Sequence, residues 1–555
     1  MQEPDHRSQP RFLVSPLRIT SAVLAAAVAV LATVLWIALV PILPEDFWWH
    51  LKFGAIIATQ GLPHTNTFAW SLPAETPYRS SAWLAELLLF ALHTAGGLPL
   101  VLLARTLLGL VAFGLVAHTA YRRSRSWWLA ALAVACAGVI ASSNVSVRPQ
   151  LFAWPLCAGL AALLAALPGA DPSRRRWLVG GIVLSTVLWV NLHGTFVLAL
   201  LLVGAATGGA SIAALWRRAP PALPQRPAPP GASRAMRSRS AAPAVAQPSL
   251  APAIPAVAWW WGLFLLVGAT TLLNPAGPSI YRDVTTITRN PAIAVLNVTE
   301  WQRPINTAPA TIVYLLSLPC VLGLVWAARR SLSFGDHLTT LVFAILPWSG
   351  QRSLIWYGMI VLPIAVQALG IIVRARSPAA SRAAVHGVHA ATHRRILWGF
   401  VGLLALLIVA AHPPFRGQIP PLLACVPDSS TDPAMAGMVS RGTPTRATDY
   451  LRDHPRDGRL FNELGYGSYV IWALGPELPV FVDPRLELFP VPIWHDYQAI
   501  SAGDLARLDQ YRIERVLLDR VRQPLLAIQL ANSAAWQLEY VDSETEIYRR
   551  VEPVP

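Results

Sequence analysis

Long apolar runs alternate with short basic segments over most of the chain, and the last stretch breaks that pattern. The first run extends from about Leu17 to Val40. It is too long for a signal-peptide core and ends in no small-residue cleavage site, so it reads as a retained anchor. Arg7, Arg11 and Arg18 precede it, which predicts a cytoplasmic N-terminus and an outer loop at 41–97. The stretch Trp83–Tyr121 is broken at Gly96-Gly97-Leu98-Pro99 and followed by Arg122, Arg123 and Arg125. It must cross an odd number of times. Trp83–Ala95 reads as a helix at the outer surface and Leu98–Tyr121 as the span. Trp127–Val145 leads out, and Pro149–Leu167 returns to Arg174-Arg175-Arg176. Trp177–Leu215 is long enough for two spans of about 20 residues, with Asn191-Leu192-His193-Gly194 at their outer turn. Further spans are predicted at Ala256–Leu273, Pro309–Ala328, His337–Gly350, Ser353–Val373 and Ile396–Ala411. The total is about eleven. Residues 217–256, rich in Pro, Ala, Arg and Ser, and 375–395, basic and Ala-rich, show no apolar period and read as disordered cytoplasmic linkers.

From about Pro413 the chain carries mixed charge in short segments. Arg459–Asn462, Val480–Asp483 and Arg515–Asp519 read as strands, and Trp536–Tyr548 as a final strand pair. Gly467–Leu474, Ile493–Ile500 and Pro524–Ala534 read as helices. The alternation predicts a small α/β domain. Two domains are therefore expected: a transmembrane one over 1–412, and an extracytoplasmic α/β one over 413–555.

Composition agrees with the pattern. Of 555 residues, 54% are hydrophobic and only 13% charged, where a soluble protein carries nearer a quarter charged. The fold class is a mainly α-helical polytopic membrane protein. The net charge of +15 sits mostly in loops and linkers between apolar runs, the signature of cytoplasmic loops and not of nucleic-acid binding. Cys136, Cys157, Cys320 and Cys425 show neither metal-ligand spacing nor a disulfide framework.

Arginine loops alone set this orientation. It nonetheless places Asp46, His50, Glu86, Arg148, Gln150, Asn191, His193, Asn274, Glu300 and Arg352 all at the outer boundary. One polar cavity near the outer leaflet, roofed by the C-terminal domain, is the simplest account. Asp46, Glu86 and Glu300 are acids suited to general-base work or to a divalent metal, for which Asp46, His50 and Glu300 are the candidate ligands, although no spacing compels one. Arg148 and Arg352 are forks suited to a phosphate. His50 and His193 suit phosphate binding, proton shuttling or metal ligation. Plainer readings stand beside these. Trp48 and Trp49 fit an interfacial aromatic belt. Arg148 and Arg352 fit snorkelling to headgroups. Asn191 and His193 fit an interhelical hydrogen bond, and Glu300 fits a pair with Arg303 or Arg282.

Several segments, taken in order, resemble bacterial multispanning proteins related to the GT-C glycosyltransferases. They are Asp46-Phe47-Trp48-Trp49-His50-Leu51 with Gly54, Gly61-Leu62-Pro63 with Phe68, Trp83-Leu84 with Glu86, and Arg148-Pro149-Gln150. Trp189-Val190-Asn191-Leu192-His193-Gly194, Leu273-Asn274-Pro275 with Gly277, Glu300-Trp301 and Arg352 follow. The outer domain adds Asn462-Glu463-Leu464-Gly465-Tyr466-Gly467 and Val480-Phe481-Val482-Asp483-Pro484-Arg485. One departure is Asn66, where the group tends to carry an acid shortly before the loop's Phe-Ser; Ala69 follows Phe68. The resemblance implies a GT-C-like architecture and transfer of a sugar from a polyprenyl-phosphate carrier to an envelope acceptor at the outer face of the bacterial cytoplasmic membrane. It implies that Asp46 lies at the catalytic centre.

The expected enzyme is of inverting type. Asp46 acts as base or orients the acceptor, and His50 and Glu86 join it as catalytic residues. Arg148 and Arg352, with Gln150, Asn191 and His193, hold the carrier phosphate. Asn274, Glu300, Trp301, Asp483 and Arg485 complete the outer face of the site. The alternative is a non-enzymatic transporter or envelope-polymer assembly factor. A transporter calls for polar groups along a path to both sides and for internal repeats, and the sequence shows sidedness without repeats.

Overall fold

Backbone polar groups in hydrocarbon must be satisfied within the segment, so apolar runs of this length fold as helices. The computed structural model describes residues 20–66, 68–216, 254–376, 388–413, 415, 416, 435 and 437–551. The first seven helices are α1 (Ser21–Leu39), α2 (Phe47–Gln60), α3 (Trp83–Ser124), α4 (Trp127–Ala141), α5 (Gln150–Ala166), α6 (Pro172–Leu192) and α7 (Val197–Trp216). Among the described residues, seven helical stretches are long and apolar enough to cross a membrane. They are Ser21–Leu39, Trp83–Ser124, Trp127–Asn144, Gly194–Trp216, Pro309–Ala327, Gln351–Arg376 and Thr392–Ala410. The remaining expected positions are also helical. They hold α5, Val257–Thr270 and Phe334–Ile345, which are shorter, and α6, which carries Arg174, Arg175 and Arg176 in its first turns. The break in α3 falls at Gly96 and Gly97, whose dihedrals are not helical.

Two boundaries differ from expectation. The helix Ile254–Thr270 starts inside the first predicted linker. Val388–Ala410 starts inside the second, and Leu354–Arg376 ends inside it. Ala-rich sequence lacks an apolar period there but still favours helix. The rest of both linkers (217–253 and 377–387), Arg7, Arg11, Arg18 and Cys425 lie outside the described residues.

The C-terminal part carries a four-stranded sheet, β1 (Arg459–Asn462), β2 (Ile513–Asp519), β3 (Trp536–Val541) and β4 (Thr545–Arg550), in the order β1-β2-β4-β3. β1 runs parallel to β2, and the other pairs are antiparallel. Val480–Asp483 is not a strand, contrary to its apolar β-branched pattern. The Asn462 side chain accepts from the Phe481 N–H at 2.8 Å and donates to the Val482 carbonyl at 2.8 Å. These bonds take the place of a ladder. Gly467 permits the approach, since a Cβ there would stand 2.3 Å from the Val482 oxygen. Val480 pairs instead with Ala69 of the 61–82 loop in an isolated bridge.

That bridge belongs to a shared core. Trp49, Phe53, Phe68 and Tyr78 from the N-terminal half pack in one apolar cluster with Phe461, Tyr466, Val480 and Phe481. The Trp49 N–H donates to Ser468 Oγ at 3.0 Å, and Trp48 meets Tyr469 edge-on. The helix α2 is thus fastened to the helix Leu464–Leu474. The protein as a whole is mainly helical, with spans of membrane length and a small C-terminal sheet.

Candidate functional site

A cavity of about 700 Å³ lies where one end of the helical bundle meets the C-terminal part. Its size is that of a small-molecule site. Asp46, Trp49 and His50 of the α2 start, Arg148 before α5 and His193 after α6 line it from the bundle. Glu300, Trp301, Arg352 and Trp356 complete that wall, and Pro484–Leu488 line it from the C-terminal part.

Two arginines converge on one carboxylate. Arg148 Nη1 lies 2.5 Å from Glu300 Oε2, and Arg352 Nη1 lies 3.4 Å from Glu300 Oε1. Arg148 also holds Asp46, with Nε 3.2 Å from Oδ2. The Arg352 guanidinium sits 4.3 Å from the centre of the Trp301 ring. Glu300 therefore pairs with Arg148 and Arg352, not with Arg303 or Arg282. Both arginines line the cavity, and two guanidinium forks on one carboxylate are an arrangement chemically suited to an anion.

His50 is held from behind. Its Nδ1 lies 2.8 Å from Glu86 Oε1, and Glu86 is fully buried and does not line the cavity. The packing of α2 on α3 makes this pair. A Cβ on Gly54 would stand 2.2 Å from the Glu86 carbonyl oxygen, so the two helices approach as only glycine allows. Glu86 thus reaches the site through His50.

Of the other expected residues, Gln150, Asn191, Asn274 and Asp483 lie away from the cavity wall. Asn191 accepts from Trp83 Nε1 at 2.9 Å and donates to the Leu273 carbonyl at 2.8 Å, tying helices together. Asn274 accepts from the Ala276 N–H and donates to the Thr271 carbonyl, closing its own turn. Gln150 is buried, and its amide finds no partner among the described residues. Polar residues at span ends satisfy backbone groups as readily as they meet a ligand, and sequence alone does not separate the two. Asp483 and Arg485 form a buried bidentate pair, at 2.8 and 2.7 Å. Arg485 reaches the cavity edge and lies over Tyr78, and its Nη2 donates to Asn66 Oδ1. Asn66, the departure from the family pattern, otherwise caps its own turn by accepting from the Phe68 and Ala69 N–H groups.

No protein-family model matches the chain, and neither does any curated protein. Among solved structures it is similar to the archaeal oligosaccharyltransferase AglB from Archaeoglobus fulgidus, in complex with an inhibitory peptide and a dolichol-phosphate. That match has 9% identity and a TM-score of 0.48, over 95% of this chain and 74% of the other. It is also similar to ArnT from Cupriavidus metallidurans in the apo state, at 14% identity and a TM-score of 0.45, over 94% of this chain and 96% of the other. Both likenesses are of overall shape, and the residue roles below rest on the cavity itself.

Among the described residues no three His, Cys, Asp or Glu side chains gather as a metal site. Asp46, His50 and Glu300 are instead engaged with Arg148, Glu86 and the two arginines. Burial alone would lower the Arg148 value, yet Asp46 and Glu300 hold it above the usual range. Burial likewise pushes Glu300 up, and Arg148 and Arg352 more than reverse that, so its carboxyl lies below its ordinary value.

Three cavity features were not singled out from sequence. Arg79 pairs with Asp283 at 3.0 Å on the rim. Tyr78 lines the wall under Arg485. Glu487 enters from the C-terminal part. A signal for the last is its place two residues after the Asp483-Pro484-Arg485 motif.

Proposed function

We propose that the protein is a membrane glycosyltransferase that moves a sugar from a polyprenyl-phosphate carrier to an envelope acceptor at the outer face. One observation carries this reading: Arg148, in the loop before α5, and Arg352, in the turn before Leu354–Arg376, grip a single anion, Glu300, inside a cavity. Two convergent guanidinium forks are the arrangement a leaving phosphate needs, because charge develops there as the glycosidic bond breaks. The neighbouring Trp49, Trp301 and Trp356 supply apolar faces against which a sugar ring packs. Asp46 keeps Arg148 in place, His193 lies beside the forks, and Glu86 orients His50. The family motifs point to the same reaction class.

The test is carrier binding. Wild type, Arg352→Ala and Arg352→Lys are purified in detergent and titrated with a polyprenyl-phosphate hexose. Wild type is expected to bind, and Arg352→Ala to bind at least about tenfold more weakly, the scale of one lost charge-assisted hydrogen bond. Arg352→Lys falls between, since lysine brings the charge without the fork. Equal binding by all three, or none by wild type, rules out a carrier site at these arginines.

A further inference from the structure

Among the described residues, four carboxylates line the cavity: Asp46, Asp283, Glu300 and Glu487. Asp46 is paired with Arg148, Asp283 with Arg79, and Glu300 with Arg148 and Arg352. These three carboxylates are each committed to a guanidinium partner. Glu487 makes no ion pair among the described residues. The arginine nearest in sequence, Arg485, is committed to Asp483 by two bonds. That buried pair, braced on Asn66 and Tyr78, fixes the segment from which Glu487 reaches the cavity.

We propose that Glu487 is the base that takes the proton from the acceptor hydroxyl, leaving Asp46 to hold Arg148. The inference rests on the glycosyltransferase reading. The acceptor O–H gives its proton to a Glu487 carboxylate oxygen. The freed electron pair forms the new bond to the anomeric carbon. The bond from that carbon to the carrier phosphate oxygen breaks, and its pair leaves on the phosphate between Arg148 and Arg352. The forks belong to the bundle wall and Glu487 to the opposing C-terminal part, so leaving group and base are supplied by different walls.

The electrostatic surroundings agree. Burial raises the Glu487 carboxyl to about 7. Its own backbone N–H and Arg485 pull the other way, and Asp483 and Asp46 add to the rise. Tyr78, on the loop between α2 and α3, also faces it and is itself pushed up by burial and by Glu86. A base poised near the working pH transfers protons best.

Two measurements on the full-length protein test this. Dicyclohexylcarbodiimide adds to protonated carboxyls in apolar settings, and the adducts are mapped by mass spectrometry across pH. Glu487 labelling with a midpoint near 7, suppressed by a bound polyprenyl-phosphate hexose, supports the assignment. A midpoint near the ordinary value of 4.5, or labelling indifferent to the carrier, overturns it. In the second measurement Glu487→Gln is expected to bind the carrier as wild type does. It should release polyprenyl phosphate roughly 10²–10⁴-fold more slowly with water or an added alcohol as acceptor, the usual contribution of a general base. Normal binding with an unchanged rate counts against Glu487 alone. Failure of wild type to bind the carrier removes the parent reading instead.

Discussion

Arg148 holds Asp46 and Glu300 at once, and the pair it makes with Glu300 is sensitive to acid. The Glu300 carboxyl is depressed in the folded protein. Its contribution to stability is therefore fully present above the ordinary value of 4.5 and is lost as pH falls through the lower, folded value. The thermal unfolding midpoint of wild type in detergent should drop on acidification below 4.5, and Glu300→Gln should drop less. Parallel acid profiles for the two proteins would show that Glu300 is not part of this linkage. At the residue scale much was legible beforehand. The gathering of Asp46, His50, Arg148, His193, Glu300 and Arg352 at one cavity follows from a single physical rule, that arginine loops mark one side. The partners were not legible. Glu300 lies far in sequence from Arg148, and only the fold decides that it meets Arg148 and Arg352 and not Arg303 or Arg282.

Among elements, the contact of α2 with α3 sets the site. At Gly54 the two helices approach too closely for a side chain. Gly54→Val forces the helices apart, separates His50 from Glu86 and overpacks a buried face, at a cost of about 1–3 kcal/mol or more. The expected outcome is a clearly lowered unfolding midpoint together with weakened carrier binding. A variant as stable as wild type would mean that the helices have room to shift. Element positions in the bundle could be read from apolar runs because a span must be both long and uninterrupted. Val480–Asp483 misled, because its alternation of β-branched and aromatic residues fits a strand. The hydrogen bonds that claim it come from the Asn462 side chain and from the Phe68 carbonyl and Trp70 N–H of a distant loop, a competition that local pattern does not encode.

For the whole molecule, the C-terminal part is not an appended module. Its core includes Trp49, Phe53, Phe68 and Tyr78, so the predicted division at 412 cuts the chain but not the packing. Which side of the membrane this body faces is open to direct labelling. Val521 is 74% exposed, and Val521→Cys should react with a membrane-impermeant maleimide in intact cells. Reaction only after the cells are opened would invert the orientation drawn from the arginine loops. The bridge from Glu300 to both arginines has a consequence for traffic through the cavity. On the proposed reading, any phosphate that enters must evict a resident carboxylate, so the resting site carries its own countercharge and arrival is an exchange of one anion for another. Affinity then reports the difference between two tenants, not the full pull of two cations. On that reading the returning carboxylate would help to dislodge the spent carrier.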